Sequence, residues 1–143
     1  MASILKVDTI TGVATAGSIA ITGEGNSTTT NLQQGLCKVW CSMDQDSSGH
    51  PAYDSLNVAS TTDAATGQTR LAFTNNMGND DYADVLNGTG QNESSFTGGN
   101  FSVTNSANSG AKSTSQVQTD CRDDAGNGRD NHDAKVIIMG DLA

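Results

Sequence analysis

The sequence is poor in the large apolar side chains that build an independent core. Only 34% of its 143 residues are hydrophobic and 4% are aromatic. A domain of this size is already close to the range in which core burial becomes thin. A single copy is therefore expected to be marginally stable, and self-association would add the buried area that the chain lacks.

Proline is nearly absent, and apolar residues never form a long run. One Pro stands against 16 Gly, and no 3.6-residue apolar period persists over three turns, so long helices are not expected. No stretch approaches the ~20 apolar residues that a membrane helix needs, and no signal-peptide pattern opens the sequence. We expect synthesis in a cytoplasm, without secretion or membrane insertion.

Basic residues are few and scattered. Seven Lys and Arg face 16 Asp and Glu, for a formal net charge of −9. A phosphate backbone would be repelled by this charge, so nucleic-acid binding is disfavoured. Acidity of this kind commonly keeps a protein soluble.

Cysteine is also scarce, with three residues. Cys37 and Cys41 lie four apart in a predicted strand, roughly 13 Å from each other, which is too far to bridge. A link from either one to Cys121 is possible but not required. Small buried thiols in a reducing compartment are the expected state.

The first 35 residues contain no aromatic residue, no Cys and no Pro. Built mainly from Thr, Gly, Ser and Ala, they cannot bury enough apolar surface to offset an ordering cost of roughly 1–2 kcal/mol per residue. We therefore predict an extended anchoring arm over residues 1–35 and a β domain over residues 36–143. The arm's expected docking contacts are its isolated aliphatic residues, Ile4, Leu5, Val7, Ile10, Ile19 and Ile21.

Short runs with a period of two predict the strands of this domain. In each run, a set of residues falls on one face of the strand. These sets are Cys37, Val39, Cys41 and Met43 in 36–43; Leu56 and Val58 in 53–60; Thr69, Leu71 and Phe73 in 68–74; Tyr82 and Leu86 in 81–86; Phe101 and Val103 in a further weak strand; Val117, Thr119 and Cys121 in 115–121; and Val136 and Ile138 in 135–139. Turn signals separate them. The pattern predicts an all-β fold, an antiparallel, jelly-roll-like β-sandwich. Residues 87–133 are polar enough to include long loops at one end.

Trp40 occupies the face of the first strand opposite Val39 and Cys41. Apolar groups on both faces of a strand indicate that one face fills the core and the other meets a neighbour. Trp40 or its neighbours are therefore predicted at a subunit contact, with a homotrimer as the expected state.

Catalytic motifs are missing, and we expect a non-enzymatic protein without cofactors. His50, before Pro51, and His132, in an Asn-His-Asp sequence, read as surface or loop residues, since neither accompanies a nucleophile elbow or a phosphate loop.

Two acidic segments offer oxygen ligands for a cation. Asp44–Gly49 spaces its oxygens like a calcium loop, but Ser55 stands where the bidentate Glu belongs, so an acidic hairpin turn is the expected structure. Residues 120–133 hold several Asp without ordered ligand spacing. No metal site is predicted from either segment.

Two parts of the chain resemble structural proteins of tailed, particularly marine, bacteriophages. Ile4–Ile10 is similar to the LKVDTI leader of many phage fibre proteins. The second part is similar to a fibre-tip module. It consists of the segments Lys38-Val39-Trp40, Tyr53–Ser60, Leu71–Met77 and Asp80–Ala83 and the final strand Val136–Met139. The resemblance implies a trimeric virion appendage whose leader docks on the particle and whose β domain is exposed. The chain lacks a coiled-coil or β-helical shaft, so a capsid decoration or short head fibre is as compatible as a tail fibre.

The expected function is therefore a virion structural role, with other tail or capsid proteins as partners and a host surface glycan as a further candidate partner. A free carbohydrate-binding module is the alternative, because loops rich in Gly, Ser and Asn with isolated aromatics such as Phe96 and Phe101 suit sugars. A hydrolase whose site lies in 87–133 is a third, weaker alternative.

Overall fold

The computed structural model describes residues 6–12, 19–22, 29–89, 112–123 and 125–142. The chain divides into two compact units, Met1–Leu36 and Cys37–Ala143. In the first unit, strands β1 (Ala20–Thr22) and β2 (Thr29–Asn31) form an antiparallel hairpin, followed by the short helix α1 (Leu32–Gly35). Nearly all of the strand residues of this hairpin are exposed.

The second unit is an antiparallel β-sandwich. Its strands are β3 (Cys37–Met43), β4 (Ala52–Leu56), β5 (Val58–Ala65), β6 (Gln68–Phe73), β7 (Ala83–Thr89), β8 (Gln116–Asp120) and β9 (Asp133–Met139). One sheet has the order β4-β3-β9-β7 and the other the order β5-β6-β8. Every pairing is antiparallel. The prediction of an all-β sandwich is confirmed.

The core lies between the two sheets, where alternate residues of β3, β6, β7, β8 and β9 meet. In β9, Val136 and Ile138 are buried while Ile137 and Met139 are exposed, because successive side chains of a strand point to opposite faces. The buried apolar residues form one cluster. They are Val39, Cys41, Met43, Leu71, Phe73, Met77, Tyr82, Leu86, Val117, Cys121, Ala134, Val136 and Ile138. The predicted inward faces of β6, β7, β8 and β9, and of β3 from Val39 onward, are confirmed. The prediction is wrong for Cys37, which is half-buried and paired with the exposed Met139, because the register shifts between Cys37 and Val39. Phe101 and Val103 lie outside the described residues.

The predicted strand over 53–60 is wrong as a single element. The chain turns at Asn57, which has a φ of 59°, a left-handed conformation that Asn tolerates better than most residues. The Asn57 side chain secures this corner, since its Oδ1 accepts a 2.7 Å hydrogen bond from the backbone N–H of Asn75. Leu56 and Val58 consequently belong to different sheets, with Leu56 exposed and Val58 packed against the core.

The β5–β6 turn presses closely on the chain that follows β8. The Gly67 N–H donates a 2.6 Å hydrogen bond to Asp130 Oδ1, and the Cys121 N–H donates a 2.7 Å hydrogen bond to the Gly67 carbonyl. Gly67 has a φ of 77°, and a Cβ there would lie 2.7 Å from the Arg129 nitrogen and closer still to the Cys121 carbonyl oxygen. This contact requires glycine both for its backbone angle and for its lack of a side chain.

Replacing Gly67 with Ala should therefore destabilise the domain strongly. Gly126→Ala is the matched control, because Gly126 has a φ of 85° but open space around its Cβ position. Gly126→Ala should lower the free energy of unfolding by about 1 kcal/mol, because the new residue is strained in a left-handed conformation. Gly67→Ala should lower it by about 3 kcal/mol, because steric overlap adds to the same strain. Urea unfolding of both variants measures the difference. Equal losses would show that the close approach contributes nothing.

Candidate functional site

An apolar row crosses the outer face of the four-stranded sheet. Trp40 is paired with Leu56 on one side and with Ile137 on the other, and Ile137 is paired with Val85. Paired residues of an antiparallel sheet share a face, so these four side chains stand in line across all four strands. Leu56, Ile137 and Val85 are 46%, 49% and 64% exposed, and Trp40 is half-buried. We call Leu56, Trp40, Ile137 and Val85 the outer row.

The outer row has an apolar flank and a polar flank. On one side, Met139 is paired with Ala83 and is 41% exposed. On the other side, Lys135 is paired with Ser42 and Asn87, and its ammonium group contacts Asp133. An apolar strip with a polar border has the composition of a protein–protein contact surface.

The outer face of the three-stranded sheet is polar by comparison. Arg70 is paired with Thr62 and Gln118, and its guanidinium donates a 3.0 Å hydrogen bond to Gln118 Oε1. Gln118 in turn donates a 2.9 Å hydrogen bond to Gln68 Oε1. Among the described residues, the apolar surface is therefore concentrated on one side of the sandwich, around Trp40.

The predicted contacts of the arm are mostly exposed where the structure describes them. Val7, Ile10 and Ile21 are 53%, 58% and 54% exposed. Ile19 is half-buried, and its carbonyl accepts a 2.8 Å hydrogen bond from the Leu32 N–H. Ile4 and Leu5 lie outside the described residues. Within its own unit, the arm thus offers aliphatic side chains without covering them.

The two histidines differ. His132 is exposed, as predicted, whereas His50 lies in the β3–β4 loop but is only 2% exposed. His50 is thus a loop residue, as predicted, but a buried one, because its ring turns inward to a polar partner. Its Nδ1 is 2.7 Å from Thr69 Oγ1, which also accepts a 2.8 Å hydrogen bond from Gln45 Nε2.

The surroundings of His50 have the residue types of a catalytic triad but not its accessibility. The imidazole Nε2 is 3.5 Å from an Asp63 carboxylate oxygen and 3.8 Å from one of Asp130. Thr69, on the other side of the ring, is fully buried, so its hydroxyl offers no access to a substrate. The arrangement instead satisfies polar groups at one end of the core. The sequence carried no local signal for it, because the partners come from separate loops and strands.

Asp44, Asp46 and His132 meet at the same end of the sandwich. One ligand atom from each lies within 4.8 Å of those of the other two. Asp44 is held in the β3–β4 hairpin turn, where its Oδ1 accepts a 3.0 Å hydrogen bond from the Asp46 N–H. The Ser47 hydroxyl, 2.7 Å from Asp44 Oδ2, holds the pKa of Asp44 below its usual value. Burial and the charge of Asp44 raise the pKa of Asp46.

The second acidic segment does not form a common site. Its carboxylates contact separate groups: Asp120 pairs with Arg122, Asp130 accepts from Gly67, and Asp133 pairs with Lys135. Asp123 accepts hydrogen bonds from the backbone of Ala125 and Asn127 and from the side chains of Asn127 and Arg129. Asp124 lies outside the described residues. These carboxylates order turns and pair with neighbouring cations.

The three cysteines are free thiols. Cys41 and Cys121 are buried and Cys37 is half-buried, as expected for small apolar residues. Burial, assisted by the charge of Asp54, raises the pKa of Cys41 to about 11. Burial likewise raises the pKa of Cys121. These two thiols are therefore protonated and unreactive at neutral pH.

Comparisons with family models, with curated proteins and with solved structures find no match to this chain. In the described part of the chain, no helix has the length and apolar character needed to cross a membrane.

The turn around Asp123 leads to a pH-dependent prediction. The backbone hydrogen bond from Asn127 is the main reason that the pKa of Asp123 lies below its usual value. A lowered pKa in the folded state means that the stabilisation is present above about pH 4 and is lost as the pH falls through the folded-state value. Asp123→Asn should therefore lower the free energy of unfolding at pH 7. The difference in this free energy between the variant and the natural chain should shrink at about pH 3.

Urea unfolding at the two pH values measures this effect. Asp81→Asn is the control, because Asp81 is exposed on a loop away from this turn, and it should change stability little at either pH. If Asp123→Asn lost the same free energy of unfolding at both pH values, the ionised Asp123 carboxylate would not be the source of the stabilisation.

Proposed function

We propose that this chain is a non-enzymatic structural protein of a bacteriophage virion. In this proposal it forms a homo-oligomer, with a trimer expected, through the outer row, and its N-terminal arm anchors it to the particle. The observation that carries the proposal is the apolar outer row on a sandwich whose opposite face is polar. The similarity of Ile4–Ile10 and of the Trp40 region to phage fibre proteins supports the virion assignment.

The outer row has enough apolar surface to favour association. Leu56, Ile137 and Val85 are each about half exposed or more in a single copy. Fully burying such a side chain contributes about 1.5–3 kcal/mol, so covering the exposed part contributes about 1 kcal/mol for each. Several copies of this surface together offset part of the cost of association. A chain that is only 34% hydrophobic gains proportionately more from such burial.

The geometry of the N-terminal unit supports an anchoring role. Its hairpin has three residues in each strand, and an isolated two-stranded hairpin is at best marginally stable in water. Val7, Ile10 and Ile21 are exposed within this unit. A neighbouring virion protein that covers them would order the arm and hold the subunit. A free carbohydrate-binding module would have no comparable use for such an arm.

A tail fibre, a short head fibre and a capsid decoration protein all fit this plan. In each, the arm binds another virion protein and the β domain faces the solvent or the host surface. Attachment to a host surface glycan is a further part of the proposal. Location of the subunit in images of purified particles would distinguish the three positions.

The oligomer is tested by placing a charge on the outer row. Ile137→Lys introduces an ammonium group at a position that is 49% exposed in one copy, so the folded chain should tolerate it, whereas a buried interface should not. Sedimentation should show an oligomer for the natural chain and a shift toward the 14.7 kDa monomer for the variant.

Thr62→Lys is the matched control for this experiment. Thr62 is also an exposed β-branched residue in a strand, but it lies on the polar outer face beside Arg70. The Thr62→Lys variant should therefore leave the oligomer intact. A natural chain that sediments as a folded monomer at micromolar concentration would contradict the proposed assembly, as would equal dissociation by the two lysines.

Deletion of residues 1–34 tests the anchoring role separately. The shortened chain should remain folded, because the sandwich core is made of residues from Val39 onward, but it should be absent from purified virions. The readouts are circular dichroism of the isolated domain and its content in particles. Normal incorporation into virions would remove the arm from its proposed role without bearing on the outer row.

A further inference from the structure

We propose that Asp44, Asp46 and His132 form a binding site for a divalent transition metal of the zinc class. The site lies where β3 leads into the β3–β4 turn and where the chain enters β9. It is separate from the outer row and from the arm, and it does not depend on the proposed virion role.

Strand pairing brings the two halves of this site together. Met43 is paired with Ala134, and beyond this pair the Gln45 N–H donates a 2.9 Å hydrogen bond to the Asn131 carbonyl. Asp44 and His132 lie between these two fixed points, one on each strand extension. Their proximity is therefore set by the sheet rather than by a loop free to move away.

The spacing of the donor atoms suits a shared metal ion better than a direct hydrogen bond. His132 Nδ1 lies 3.5 Å from Asp44 Oδ1, which is beyond the usual range of about 2.7–3.2 Å for a hydrogen bond. Two ligand atoms on a tetrahedral zinc, each about 2.0–2.1 Å from the metal, stand about 3.3 Å apart. An ion between these two atoms would need little movement of either side chain.

The His132 ring is also oriented from behind. The Tyr53 hydroxyl donates a 3.0 Å hydrogen bond to the His132 carbonyl. The two rings meet edge to face, with centroids 6.2 Å apart and an interplanar angle of 71°. The hydrogen bond holds the His132 backbone and the edge contact packs against its ring, so both restrict the positions that the imidazole can take.

The electrostatics of the cluster favour a cation. Asp44 and Asp46 offer carboxylate oxygens within 4.8 Å of each other, so their negative charges repel. A divalent ion would neutralise both carboxylates. Asp44 is buried, while Asp46 and His132 are exposed, so an ion could enter from solvent and complete its coordination with water.

The ligand types select the metal. One imidazole with two carboxylates suits zinc and its first-row neighbours, because magnesium and calcium strongly prefer oxygen ligands alone. The turn also lacks the bidentate Glu of a calcium loop, since Ser55 occupies that position. The sequence pattern had indicated only a turn here, because the third ligand, His132, lies far along the chain from the two carboxylates.

Calorimetric titration of the full chain, stripped of metal with EDTA, tests the site with ZnCl₂, MgCl₂ and CaCl₂. We expect one zinc ion per chain, bound at least about tenfold more tightly than magnesium or calcium. Asp46→Asn and His132→Phe should each weaken zinc binding about tenfold or more. The Phe ring keeps the edge contact with Tyr53 while removing both nitrogens. Asp81→Asn, at an exposed carboxylate elsewhere, should leave zinc binding unchanged.

Two further measurements make the outcome decisive. Thermal unfolding in EDTA should be the same for all variants, because Asp46 and His132 are exposed. Zinc should raise the midpoint of the natural chain and of Asp81→Asn equally, and that of Asp46→Asn and His132→Phe less. The ¹⁵N resonances of the His132 imidazole should shift on zinc addition. No binding up to about 1 mM zinc, unchanged affinity in both ligand variants, or equal affinity for calcium would overturn the proposal.

Discussion

The antiparallel pairing of β3 with β9 determines which side chains enter the core and which face outward. These two strands form the centre of the four-stranded sheet, with β4 and β7 on their outer sides. The register that pairs Cys41 with Val136 directs both side chains into the core. The same register pairs Trp40 with Ile137 and builds the middle of the outer row. Its extension past Met43 brings Asp44 next to His132.

A change in this register would affect all of these features at once. Shifting a strand by one residue turns every side chain to the opposite face. Such a shift in β9 would bring Ile137 and Lys135 into the core and expose Val136 and Ile138. The core thus specifies the register strongly, and the outer row and the Asp44–His132 contact depend on that choice. Core packing, outer surface and candidate metal site are therefore coupled through one pair of strands.

Alternation along the sequence was enough to predict the inward faces of β6, β7, β8 and β9, and of β3 from Val39 onward, because each of these strands has one face against the core. It failed at Asn57, where a single left-handed residue ends one strand and begins another in the opposite sheet. The failure is physical, since the apolar pattern continues through the corner while the backbone direction changes. The corner depends on Asn75, which lies 18 residues away along the chain.

The polar end of the sandwich was harder to predict for a related reason. His50 is buried because Thr69 and Gln45 give it and its surroundings hydrogen-bond partners, and no local pattern in the sequence records such partners. The same holds for His132 beside Asp44. Apolar residues reveal their burial by periodicity, whereas a buried polar residue depends on a specific partner that only the completed fold supplies.

The outer row connects assembly with stability. β3 and β9 carry apolar side chains on both faces, which is typical of strands covered on two sides. In a single copy, only the inner face is covered by the second sheet. Any neighbour that binds the folded sandwich through the outer row, without binding the unfolded chain, must stabilise the fold by mass action. In the proposed oligomer, another copy would cover this apolar outer face, and the stability of the fold would then depend on the concentration of the chain.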